Sequence, residues 1–214
     1  MKIIEFDKSS MSKEDTTLQC VEVADSTLFP TNYDDVYAHL FENDDLLKLF
    51  VVGDSDKIKG FSVFDTVRNN YNIMYLSGLV LGREIQGKGI SKLLIREGLK
   101  LLKPEIITLR TRNPRMYQAL VGSTLSYGSY PDDTVPNEIY NLALTIPYFN
   151  GIQSNLVIKD CYNEELIQQD VSVRNPVFKL LDSRDAFGCI SIVNNDGDNV
   201  KRLIKDIRSG IDNK

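Results

Sequence analysis

The stretch Leu79-Val80-Leu81-Gly82-Arg83-Glu84-Ile85-Gln86-Gly87-Lys88-Gly89-Ile90-Ser91 decides how this chain folds. It joins two segments of different period. Upstream, Asn72 to Leu81 reads as a strand. Downstream, Ile90, Leu93, Leu94, Leu99, Leu101 and Leu102 mark an amphipathic helix, which Pro104 stops. Small residues at the junction let the backbone curl tightly, so several N–H groups with no helical partner can point at one spot.

Those donors, with the positive end of the helix dipole, can hold a pyrophosphate without metal. Three phosphate-binding patterns compete for the segment. A P-loop has a hydroxyl directly after its Gly-Lys pair to ligate magnesium, but here Gly89 follows Gly87-Lys88. A dinucleotide fingerprint has a third glycine three residues after its second, and Lys92 stands there. Both patterns are rejected. The third is a Gln-x-x-Gly-x-Gly/Ala signature, in which Gln86-Gly87-Lys88-Gly89-Ile90-Ser91 departs only at the last position. There Ser91 replaces a smaller residue and can donate a hydrogen bond.

Working outward, the chain reads as β-α-α-β-β-β-α-β-α. Lys2 to Phe6 is a short strand. A helix from Met11 to Leu28 carries Ser12 and Asp15 as a capping box, and Thr31 opens a second helix after Pro30. Strands at Leu47–Gly53, Ile58–Val67 and Asn72–Leu81 form a meander around the turns Asp54-Ser55-Asp56 and Arg68-Asn69-Asn70. Ile106 to Arg110 is a further strand, and Asn113-Pro114 opens a short helix. Beyond Gly122, Thr124 to Asn137 is polar and turn-rich, and Ile139 to Ile146 is strand-like. Leu156-Val157-Ile158 and Cys189 to Val193 are also strand-like. A turn at 194–197 and a helix from Asp198 to Ile211 close the chain.

Bulk composition narrows the function. Apolar residues are 42% of 214, enough for a packed core. The net charge of −5, with both signs interspersed, argues against nucleic acid, which wants a concentrated basic face. No apolar run approaches a membrane span or a signal peptide. Cys20, Cys161 and Cys189 are far apart, and His39 is the single histidine, so no Cys/His metal site is expected. The chain reads as soluble and cytoplasmic, with buried free thiols.

The Gly-rich signature, and the meander before it with the strand and short helix after it, resemble the GCN5-related N-acetyltransferases over about residues 1 to 146. The resemblance implies an α+β fold: a twisted mixed sheet of about six to seven strands flanked by helices. It makes residues 1–150 an acyl-CoA-binding domain. Residues 151–214 are a C-terminal α/β extension, either packing on the same sheet or forming a small lobe. It also implies acetyl-CoA as co-substrate and no metal. Gln86, Gly87, Lys88, Gly89, Ile90 and Ser91 would bind the pyrophosphate, and the main chain of Leu79, Val80 and Leu81 the pantetheine arm. Asn113 would also touch the cofactor.

The implied reaction is acyl transfer to an amine, of a small molecule or a protein. Many family members place an acidic tyrosine seven residues beyond that Asn; here Leu120 stands there and Tyr117 shares its helix face, so Tyr117 is the candidate acid. The family's usual carboxylate base falls on Ser77, and no Asp or Glu lies between Asp65 and Glu84. A water chain, an acceptor that arrives neutral, or a non-catalytic acyl-CoA-binding module on the same fold each fit that gap. Arg110, Arg112 and Arg115 read as a solvated strand end before a phosphate contact, and His39 as a surface or packing residue. Asp132-Asp133, Tyr127 and Tyr130 sit in a loop that could line an acceptor pocket. The tail from Gly151 can mediate homodimer contacts or close over the acceptor.

Overall fold

A computed structural model describes residues 1–27, 31–43, 45–68, 71–124, 126–132, 134–162, 181–182 and 184–193. Eight strands and five α-helices among these residues make the expected α+β fold. The chain divides into two compact units, Met1–Thr66 with Tyr75–Leu102, and Val67–Met74 with Lys103–Lys214. No helix among the described residues is long and apolar enough to cross a membrane.

Strands β1 (Lys2–Glu5), β2 (Leu47–Val52), β3 (Ile58–Arg68) and β4 (Asn72–Leu81) lie side by side in that order, and all but residues 67–68 and 72–74 of them belong to the first unit. β1 pairs antiparallel with β2, setting Ile4 opposite Phe50, and β2 pairs antiparallel with β3, setting Phe50 opposite Phe61. Helix α1 (Lys13–Asp25) starts where the Ser12 hydroxyl accepts from the Asp15 N–H, as the sequence suggested. Helix α2 (Tyr33–Phe41) is capped by Asn32, not Thr31, because the Asn32 amide oxygen reaches the Asp35 N–H at 2.8 Å. Cys20, Val23, Val36, Leu40 and Phe41 of the helices form one core with Phe50, Phe61 and Val63 of the strands. Helix α3 (Ile90–Leu102) presses Gly98 onto the Phe64 ring; a Cβ there would lie 3.0 Å from it, so the ring would have to give by a few tenths of an ångström.

In the second unit, β5 (Ile106–Thr111), α4 (Pro114–Val121), β6 (Ser126–Tyr130), α5 (Asn137–Ala143), β7 (Val157–Ile158) and β8 (Ala186–Val193) follow in sequence. β8 is buried along its whole length and pairs antiparallel with both β5 and β6, while β7 pairs with its first residues. The Ser191 hydroxyl, fully buried, shares hydrogen bonds with Thr124 at 2.9 Å and Ser129 at 2.8 Å, which satisfies a polar side chain inside an apolar strand.

One expectation fails here. Ile139 to Ile146 does not form a strand; helix α5 covers most of it. Pro136 fixes a suitable φ at the helix start. Ile139, Leu142, Ala143 and Ile146 then bury at helical spacing. The polar run before it contains β6, which borrows its pairing from β8. The expected turn at 194–197 and helix at 198–211 lie outside the described residues, as do Pro30 and Asp133.

Candidate functional site

The end of β4 is drawn tightly against β3. A Cβ on Gly60 would stand 2.7 Å from Leu81 Cδ2 and 3.0 Å from the Val80 carbonyl, so the absent side chain permits the contact. The Gly82 N–H donates to the Lys59 carbonyl at 2.8 Å, and Lys59 Nζ pairs with Glu84 at 3.1 Å. The chain then makes one 3₁₀ turn, Arg83–Ile85, anchored by the buried Ile85 side chain. Gln86 follows, and its Nε2 donates back to the Leu81 carbonyl at 2.8 Å.

Gly87 and Gly89 both adopt left-handed backbone, at φ of 73° and 77°. Nothing lies within 4 Å of where a Cβ would sit on either, so the demand for glycine is conformational and not spatial. Among the described residues, no protein acceptor pairs with the N–H groups of Gly87, Lys88, Gly89, Ile90 and Ser91. Residues 86 to 89 are exposed. Five free donors thus stand at the start of a 13-residue helix, whose dipole adds positive potential. The exposed Lys88 lies within the same turn. This arrangement can hold an anion of the size and charge of a diphosphate without a metal. Among the described residues no group of three or more His, Cys, Asp or Glu side chains could hold a metal ion.

Just upstream, Leu79 and Val80 of β4 are half-buried and Leu81 is buried. Val80 packs on the helix-facing core. Ser77 donates its hydroxyl to the Val63 carbonyl at 3.3 Å, so it carries no free base. One residue later, His39 of α2 reaches the strand: a Cβ on Gly78 would overlap its Nε2. Residues 77 to 91 and His39 therefore belong to one local assembly in the first unit. Helical spacing alone did not single out His39, because the signal is the glycine opposite it.

Asn113 and Tyr117 sit together in the second unit. Asn113 caps α4, its side-chain oxygen accepting from the Arg115 N–H at 2.9 Å while its own N–H donates to Thr111. Tyr117 is 8% exposed. Its hydroxyl lies 2.6 Å from the Pro131 carbonyl and 3.1 Å from the Ser129 carbonyl, the acceptors for its proton. Burial first, then Cys189, Asp132 and Tyr130, pushes its pKa well above the usual range. That environment suits an anchor for the segment after β6, since a proton already donated to main chain must be released before it can go elsewhere. Arg112 stacks on the Tyr162 ring at 4.3 Å, and Arg110 and Arg115 are exposed.

The model of the acetyltransferase (GNAT) family matches residues 17–122, which include β4, the Gly-rich turn, α3 and α4. Among solved structures, the ribosomal-protein-S18-alanine N-acetyltransferase from Escherichia coli is similar in fold over 92% of this chain and 96% of that one. Its TM-score is 0.54 at 10% identity. A GNAT family acetyltransferase from Staphylococcus aureus is similar at 25% identity over 48% of this chain and 79% of that one, with a TM-score of 0.39. Tetrahymena GCN5 is similar at 9% identity over 65% and 86%, with a TM-score of 0.49. No curated protein matches the sequence.

Proposed function

Because the chain belongs to the GNAT acetyltransferase superfamily, we propose that it transfers an acyl group, acetyl in the first instance, from coenzyme A to an amine. The observation that carries this reading is the row of five unpaired N–H groups from Gly87 to Ser91 at the start of α3. They supply what a pyrophosphate needs: several main-chain donors without protein acceptors at a positive helix end. Lys88 adds charge at the rim. The main chain of Leu79, Val80 and Leu81 is the proposed rail for the pantetheine arm, a form of strand addition. The resemblance also proposes Asn113, in the second unit, as a cofactor contact; its side-chain nitrogen has no hydrogen-bond partner among the described residues.

Residues 1–150 are proposed as the acyl-CoA-binding region and 151–214 as its extension. The acceptor is an amine of a small molecule or a protein; the alanine acceptor of the Escherichia coli protein is not carried over at 10% identity. A non-catalytic acyl-CoA-binding module is the second reading. Two observations favour it: no carboxylate lies between Asp65 and Glu84, and the Tyr117 hydroxyl is committed to carbonyls.

Calorimetric titration with acetyl-CoA tests both. The expected result is binding, with stability raised by about 2.7 kcal/mol at roughly 100 times the dissociation constant. Absence of binding refutes both readings. Free thiol released in the presence of an amine separates the enzyme from the module.

A further inference from the structure

The geometry points to His39 Nε2 as the group that takes the proton from the acceptor amine, an assignment that rests on the transferase reading above. His39 stands in the last turn of α2, and Nε2 is aimed at Gly78 of β4, the one strand position between Ser77 and Leu81 that carries no side chain. Any other residue at 78 would collide with the ring, so the strand leaves room for an imidazole one residue before the proposed pantetheine rail. His39 is an exposed residue, yet the protein around its imidazole desolvates it and lowers its pKa. Desolvation keeps it neutral at pH 7, the form in which a base works.

Among the described residues His39 has no hydrogen bond or ion pair that would occupy it. From Ser77 to Leu81, β4 itself supplies no Asp, Glu, His or Cys, and the Ser77 hydroxyl is spent on Val63. His39 fills that gap from a neighbouring helix.

The acceptor ammonium gives one proton to Nε2, and the freed lone pair attacks the thioester carbonyl carbon. The new C–N bond forms as the C–S bond breaks. The nitrogen's second proton goes to the departing thiolate to give free thiol, and the imidazolium returns its proton to solvent.

The test uses acetyl-CoA with two small probes. Methylamine is protonated at neutral pH and needs a base; hydroxylamine is already neutral and does not. H39Q should bind acetyl-CoA as the parent chain does, lose about 100-fold or more in thiol release with methylamine, and keep its rate with hydroxylamine. Gly78→Ala, which displaces the ring without removing it, should show the same amine-selective loss and serves if H39Q does not fold. Equal losses with both amines, or no loss with either, overturn the assignment. So does a parent chain that binds acetyl-CoA but releases no thiol with either probe, which leaves the binding reading standing. A parent chain that does not bind acetyl-CoA overturns the transferase reading itself, and the role of His39 with it.

Discussion

Gln86 Nε2 donates to the main-chain carbonyl of Leu81 at 2.8 Å, tying the Gly-rich turn to the last residue of β4. The two halves of the proposed cofactor site, strand rail and amide cradle, are thereby held in one frame. Gln86→Ala removes a single part-buried hydrogen bond, so the fold should lose only about 0.5–1.5 kcal/mol. Acetyl-CoA affinity should fall by more than that loss accounts for, because the cradle is no longer fixed before binding. Chemical denaturation and calorimetry on the same protein measure the two separately.

Gly89→Ala should cost about 1–2 kcal/mol in stability, since a left-handed backbone penalises a Cβ. The space around that Cβ is open, so no packing loss adds to it. Gly89→Asn should cost less than Gly89→Ala, because Asn tolerates this conformation. If Asn and Ala proved equally harmful, contact and not backbone freedom would explain the glycine. Acetyl-CoA affinity should follow the same order.

Tyr117→Phe removes the hydroxyl from the Pro131 and Ser129 carbonyls. Stability should fall by about 1–3 kcal/mol, the cost of leaving buried acceptors unpaired. Thiol release per folded molecule should be retained. A variant as stable as the parent but slow in turnover would instead restore Tyr117 as the acid.

Asp185 is 2% exposed and accepts from Lys159 Nζ at 2.6 Å and from the N–H groups of Asp160 and Asp182 at 3.2 Å each. Burial, the largest single influence, would raise its pKa, but these donors together outweigh it and hold the carboxyl below its usual 3.8. A depressed folded pKa contributes stability above the unfolded value, and that stability disappears as pH falls below 3.8. Asp185→Asn should flatten the acid limb of a stability–pH curve. Lys159→Ala should destabilise at neutral pH by leaving the carboxylate with main-chain donors alone. Acid unfolding followed by circular dichroism reads both.

The Gly-rich turn was legible because its requirement is local. Two left-handed positions within three residues call for glycine whatever the rest of the chain does, and a strand period before them with a helix period after them fixes the context. The caps of α1 and α4 were legible for the same reason: Ser12 and Asn113 bond to N–H groups two or three residues away. The region from Thr124 to Ile146 was not. β6 has too little apolar alternation to announce itself, and it becomes a strand through pairing with β8, more than 60 residues later.

His39 and Tyr117, each in its own unit, mark the same boundary. A glycine-rich strand-to-helix junction and the order of elements up to α4 could be read from the residues alone, because backbone conformation and hydrophobic period act over a few residues. It takes the folded chain to bring a helix histidine against a strand glycine and to send the tyrosine's proton to the chain after β6. Those are encounters between side chains and backbone 12 to 39 residues apart, and no local rule of conformation encodes them.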